Sequence, residues 1–136
     1  MMISTKGRYA LRIMIDLAEN YSGEYITMKS VARRQELPLK YIERLMPVLT
    51  KNSLVEGVHG KGGGYRLTRK PQEYKVGDIL RLMEGNLSPV ACLACDAKDC
   101  SRAVECRTLP MWKEFHDVIN NYFDEKSLAD LIEKDA

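Results

Sequence analysis

Cys92, Cys95, Cys100 and Cys106 follow the spacing C-x2-C-x4-C-x5-C, which confines all four thiols of the chain to 15 residues. Thiolates are the ligands of iron–sulfur clusters, and a compact set of four also suits structural zinc. The zinc-ribbon form sets two C-x2-C pairs far apart, and this spacing does not match it. The spacing leaves an iron–sulfur cluster, another form of structural zinc site and a metal-free thiol loop open. Asp96, Asp99 and Glu105 are close in sequence, and their charge is expected to raise the thiol pKa values when no metal is bound. The N-terminus lacks the long apolar run of a leader, and no stretch reaches the roughly 18 to 20 apolar residues of a membrane span. A cytoplasmic location without a membrane partner follows as the expectation, and reduced thiols there argue against disulfides. His59 and His116 both lie away from the cysteines in sequence. No nucleophile and base can be paired, so an enzyme is not expected.

A second set of residues is basic. Residues 1–75 carry 14 Lys and Arg against 7 Asp and Glu, whereas residues 76–136 carry 7 against 12, so the net charge of +2 conceals a basic and an acidic portion. Such a portion is the footprint of a polyanion-binding surface. Leu39, Lys40, Tyr41, Glu43 and Arg44 stand together just after Pro38. Arg and Lys match the paired acceptors of guanine, and Glu can accept from the cytosine amino group. Lys6, Arg8, Lys51 and Lys61 suit phosphates, which fix register and make affinity salt-dependent.

These side chains need a frame. Ala10, Met14 and Leu17 predict an amphipathic helix from Gly7 to Glu19. Gly23 interrupts it, and Thr27 stands where an N-cap belongs before Met28, Val31 and Ala32. Gln35-Glu36-Leu37 is a short link, and Pro38 opens a third helix whose stripe is Ile42, Leu45 and Leu49. This pair reads as a helix-turn-helix whose second member offers its N-terminal part to the major groove. Pro47 predicts a kink or an early end of that helix.

The segments 54–59 and 65–68 predict two strands around Gly60-Lys61-Gly62-Gly63-Gly64, a hairpin wing with His59 and Lys61 as polar tips. The glycines match no nucleotide-binding loop pattern. Val76, Ile79, Leu80 and Met83 predict a helix ending in a left-handed cap at Gly85. Residues 89–106 show no helical stripe. Trp112, Phe115, Ile119 and Tyr122 then predict a long helix, followed by a short one capped at Ser127. A long apolar helix on so small a chain has little core of its own, so its expected partner is the same helix of a second subunit. The fold class is mainly α with a small β-hairpin wing. A winged helix-turn-helix region occupies 1–85, a cysteine-rich sensor loop 86–108, and a dimerisation helix with a short C-terminal helix 109–136.

The chain resembles the Rrf2 family of winged-helix transcriptional regulators, which has IscR-like, NsrR-like and CymR-like branches. The resemblance rests on Ile3 to Ala10, Tyr41 to Leu45, Gly60 to Tyr65 with Leu67, Val76 to Ile79, and Cys92, Cys100 and Cys106 followed by Leu109 and Trp112. It implies a homodimer that binds double-stranded operator DNA, with repression expected ahead of activation, and it adds Ser4 and Thr5 to the DNA-binding residues. It also implies that Cys92, Cys100 and Cys106 are cluster ligands, which puts an iron–sulfur cluster ahead of zinc. IscR-like members place a histidine where Leu109 stands, and NsrR-like members an aspartate where Arg8 stands, which leaves Cys95 as the candidate fourth ligand. Residues 86–90 and the N-terminal half resemble CymR-like members, which lack the cluster cysteines. The alternative is accordingly a metal-free regulator governed by a protein partner or a small-molecule effector.

Overall fold

The computed structural model describes residues 3–94 and 100–132, so the expectations for Cys95, Asp96 and Asp99 lie outside the described residues. Helix α1 (Thr5–Glu19) turns Ala10, Ile13, Met14, Leu17 and Ala18 inward. Thr27 caps α2 (Met28–Gln35) by accepting the Ser30 N–H at 3.2 Å, and Glu36 closes it at φ 54°. The left-handed residue and Leu37 turn the chain within two residues, and Pro38 then stands at the N-cap of α3 (Leu39–Lys51).

Helix α3 does not end at Pro47 but runs through it to Lys51. A proline inside a helix costs about 3 kcal/mol. Ile42, Leu45, Met46 and Leu49 are all buried, and each is worth about 1.5–3 kcal/mol. Core packing outweighs the lost hydrogen bond. Pro47 also lies on the exposed side, where water can serve the carbonyl of Glu43.

Strands β1 (Val55–Val58) and β2 (Gly64–Leu67) pair antiparallel with Val55 opposite Leu67 and Val58 opposite Gly64. A third short partner joins them. Ile26 and Tyr65 exchange both backbone hydrogen bonds at 2.8 Å, which seats the wing on the α1–α2 connection. Gly64 permits this approach, because a Cβ there would sit 2.3 Å from the Ile26 carbonyl oxygen. At the base of the hairpin the buried Tyr74 hydroxyl accepts from the Thr68 and Arg69 N–H groups and donates to the Leu54 carbonyl.

Helix α4 (Val76–Glu84) ends at Gly85, whose φ of 88° and ψ of −42° give a positive-φ cap outside the expected left-handed region. A 3-10 turn, Ala91–Leu93, lies within the cysteine segment. Helices α5 (Leu109–Glu125) and α6 (Leu128–Ile132) complete the chain. Two backbone hydrogen bonds, Val76 N–H to Lys126 and Leu128 N–H to Tyr74, tie the α5–α6 junction to the base of the wing. The capping expected at Ser127 is present, with reciprocal bonds to Asp130.

The stripe expected on α5 divides between two faces. Ile119 and Phe123 pack on a small cluster of Val76, Leu80 and Leu87, whereas Met111, Phe115, Val118 and Tyr122 remain about half or more exposed. Among the described residues no helix is long and apolar enough to cross a membrane.

Candidate nucleic-acid interface and cysteine loop

The first two turns of α3 sort their residues by face. Ile42 and Leu45 are buried, and Lys40, Glu43 and Arg44 are exposed with no ion pair among the described residues. Leu39 and Tyr41 are half-buried. The Tyr41 ring meets Tyr9 edge to face at 5.3 Å, so both residues pack as well as border the surface. The polar face of α3 carries the donors and acceptors that base edges require.

Ser4, Thr5, Lys6 and Arg8 are exposed around the start of α1. Three of them are already engaged. The Ser4 N–H and hydroxyl donate to Glu84 Oε1 at 2.9 and 2.7 Å, and Arg8 donates to Thr5 Oγ1 at 3.2 Å. Lys51 and His59 both line a cleft of about 460 Å³ between the end of α3 and the wing, together with Pro47, Val58 and Tyr65. Lys61 is exposed at the wing tip.

The support of this surface was only partly legible in the sequence. Asp16, buried among the apolar residues of α1, accepts from Arg34 Nε and Nη2 at 3.0 and 2.7 Å and from Gln35 Nε2 at 3.1 Å. The hydrogen bond to Asp16 raises the pKa of the Arg34 guanidinium. Arg12 also donates to the Gln35 carbonyl, so α1 grips the end of α2 at the turn. On the wing, Arg66 bonds Glu56 and the Gly23 carbonyl, each at 2.6 Å, and lies over the Tyr25 ring. An acid flanked by Ile15 and Leu17 was the one available signal for the first cluster. The cross-strand Glu56–Arg66 pair needed the register.

The cysteine loop is open in the described residues. Cys92 and Cys100 are exposed, Cys106 is half-buried, and no three His, Cys, Asp or Glu side chains among the described residues converge on one point. The expected rise of the thiol pKa is overturned at Cys106. Hydrogen bonding to the Thr108 hydroxyl and to the Thr108 and Leu109 N–H groups, with Arg102 nearby, holds that thiol below its ordinary value. Glu105 lies in the same depression as Cys100, Cys106, Arg102 and Arg107, where the two arginines offset its charge. The donor set suits an iron–sulfur cluster in its chemistry, although the described thiols are not gathered around a common centre.

Residues 3–134 match the family described as "Rrf2: Iron-dependent Transcriptional regulator". The HTH-type transcriptional regulator CymR of Bacillus subtilis is 37% identical over 131 residues, covering 96% of this chain and 89% of that protein. The solved structure of CymR, the global cysteine regulator of B. subtilis, superposes with a TM-score of 0.79 at 36% identity, covering 97% of this chain and 96% of the other. The structure of T. potens IscR gives 0.74 at 36% identity, covering 97% and 86%.

Proposed function

The chain belongs to the Rrf2 family of transcriptional regulators, and from that premise we propose that it acts in the cytoplasm as a homodimeric repressor on double-stranded operator DNA. The observation that carries this reading is the outward polar face of α3, where Lys40, Glu43 and Arg44 are exposed above a buried apolar stripe. Arg44 and Glu43 read base edges. Ser4, Thr5, Lys6, Arg8, Lys51, His59 and Lys61 engage the sugar–phosphate backbone and groove walls, with Leu39 and Tyr41 bordering the contact. The half-exposed stripe Met111, Phe115, Val118 and Tyr122 supports the dimer, since an apolar patch of that size asks for a partner surface.

The loop over residues 86–108 is the sensor in this proposal. Cys92, Cys100 and Cys106, with Cys95 as the fourth candidate, would hold an iron–sulfur cluster, and thiolate ligation supplies its redox and ligand-exchange chemistry. The similarity to IscR favours this state. A second reading has a specific observation behind it. The open arrangement of the described thiols and the similarity to CymR favour a cluster-free loop answering to an effector or a partner protein.

Operator selection from randomised duplexes, followed by titration of the selected duplex, tests the DNA reading. Failure to enrich any sequence refutes it. Iron and sulfide analysis of anaerobically purified protein, together with its visible spectrum, separates the two sensing states. On the cluster reading, serine at Cys92, Cys100 or Cys106 removes the visible bands, and Cys95→Ser does so only if Cys95 is the fourth ligand.

A further inference from the structure

Helix α5 has an attachment unlike that of the other long helices. None of its residues is fully buried, so beyond the backbone bonds that tie its C-terminal end to the wing base, its hold on the winged helix-turn-helix comes from the half-buried Ile119 and Phe123 and from one polar clamp. Arg81 of α4 donates through Nη1 and Nη2 to the two carboxylate oxygens of Asp124, each at 2.8 Å. Its Nε and Nη2 also reach Asn120 Oδ1 at 3.2 and 2.9 Å. One guanidinium thus grips two successive turns of α5. Asn120 passes the contact on by donating from Nδ2 to the carbonyl of Leu87, at the root of the cysteine loop, at 3.3 Å.

The backbone is shaped for this clamp. A Cβ on Gly77 would lie 2.2 Å from Asp124 Oδ1, so a side chain at that position would push the carboxylate out of the fork. Apolar contacts between helices tolerate sliding and rotation, whereas a planar fork on a carboxylate fixes distance and angle together.

We infer that Arg81 is a positioning residue that sets the separation of the two DNA-reading heads, through its clamp on Asp124 and Asn120. This rests on the dimeric reading above, because the exposed stripe that would meet the second copy lies on the same helix that the clamp holds. The path from one α3 to the other then runs through two copies of the Arg81 fork. For a two-headed binder, engagement of the second head is governed by how well the fixed span matches the half-site spacing. A stiff joint rewards one spacing and penalises its neighbours. A loosened joint flattens that preference and leaves each head's own contacts intact.

The test uses the full-length protein as wild type, Arg81→Lys and Asp124→Asn. The operator selected by the wild type is resynthesised with its spacer one or two base pairs longer and shorter, and also as a single half-site. Dissociation constants are read by fluorescence anisotropy. In both variants the penalty for a one-base-pair change of spacer should shrink on the order of tenfold, while single half-site affinity stays within about twofold. Variants that keep the wild-type spacing penalty overturn the inference and leave the dimeric reading standing. Variants that lose more than about tenfold on the single half-site overturn it too, because the clamp then merely supports the fold. A wild-type selection that returns an unrepeated site overturns the dimeric reading itself.

Discussion

Arg34→Ala is expected to destabilise the fold more than Asp16→Ala, although Arg34 is the more exposed partner. The Asp16 side chain is 2% exposed and that of Arg34 41%. Removing Arg34 leaves a buried carboxylate with only the Gln35 amide at 3.1 Å, and breaking a buried pair from one side costs about 3–5 kcal/mol. The solvent around Arg34 screens part of that interaction, which brings the expected loss to about 3 kcal/mol. Removing Asp16 lets Arg34 turn into water and leaves Gln35 to be rehydrated, for about 1–2 kcal/mol. The double variant should then cost about 1–2 kcal/mol less than the two single losses combined. Urea unfolding at one fixed protein concentration measures all four proteins without confounding by association. The corresponding shift for Arg34→Ala is a Tm lower by about 10 °C. Equal losses for the two single variants, or strict additivity, would refute the argument that the buried carboxylate is the costly member.

The wing supplies a steric case. Gly64→Ala should cost about 3 kcal/mol or more, because its Cβ meets the Ile26 carbonyl and that strand pair cannot give way cheaply; thermal unfolding checks it, and a change below 1 kcal/mol would show that the pairing yields. Acid stability follows from Asp124, whose carboxyl Arg81 holds below its ordinary value. A depressed folded-state pKa stabilises at pH values above the unfolded value of about 3.9 and loses that contribution as pH falls through the folded value. Asp124→Asn should therefore flatten the fall in stability below about pH 5, and an unchanged acid limb would contradict the clamp. On operator DNA, Lys61→Ala should weaken all sequences alike and lower the salt slope by about 1, whereas Arg44→Ala should cost about 1–3 kcal/mol at one base pair. Equal losses on operator and random duplex for Arg44→Ala would remove it from base reading.

The helices were legible wherever a stripe faced the protein's own core. Ala10, Met14 and Leu17, or Ile42, Leu45 and Leu49, carry the period of a buried face, and the Thr27 and Ser127 caps mark the starts of α2 and α6. The early end that Pro47 allowed does not occur, because its cost is local and the packing that overrides it is tertiary. The α5 stripe gave the helix but not its two faces, since Phe115 and Ile119 differ in what covers them and not in hydrophobicity. The Ile26–Tyr65 bridge leaves no trace in the sequence, because a single-residue pairing has no alternation to detect. The charge argument at the cysteines failed at Cys106 because sequence proximity of acids says nothing of N–H groups at a helix start. Polar linkages such as Arg81 to Asp124 join residues far apart in the chain, and no local pattern announces them.

Seen mechanically, α5 is a lever with one end fixed. Its C-terminal end is pinned to the wing base by the Val76–Lys126 and Leu128–Tyr74 backbone bonds, and its N-terminal end begins three residues after Cys106. Seventeen residues give an arm of about 25 Å. A rearrangement of about 2 Å around the cysteines corresponds to a turn of only about 5° at the pinned end. On the dimeric reading, the same turn carried across the roughly 34 Å between two heads one helical repeat apart would shift one head by about 3 Å relative to the other, at right angles to the line joining them. A shift of that size matches the length of a hydrogen bond, about 2.9 Å, so it would be enough to take a reading head out of contact with its groove.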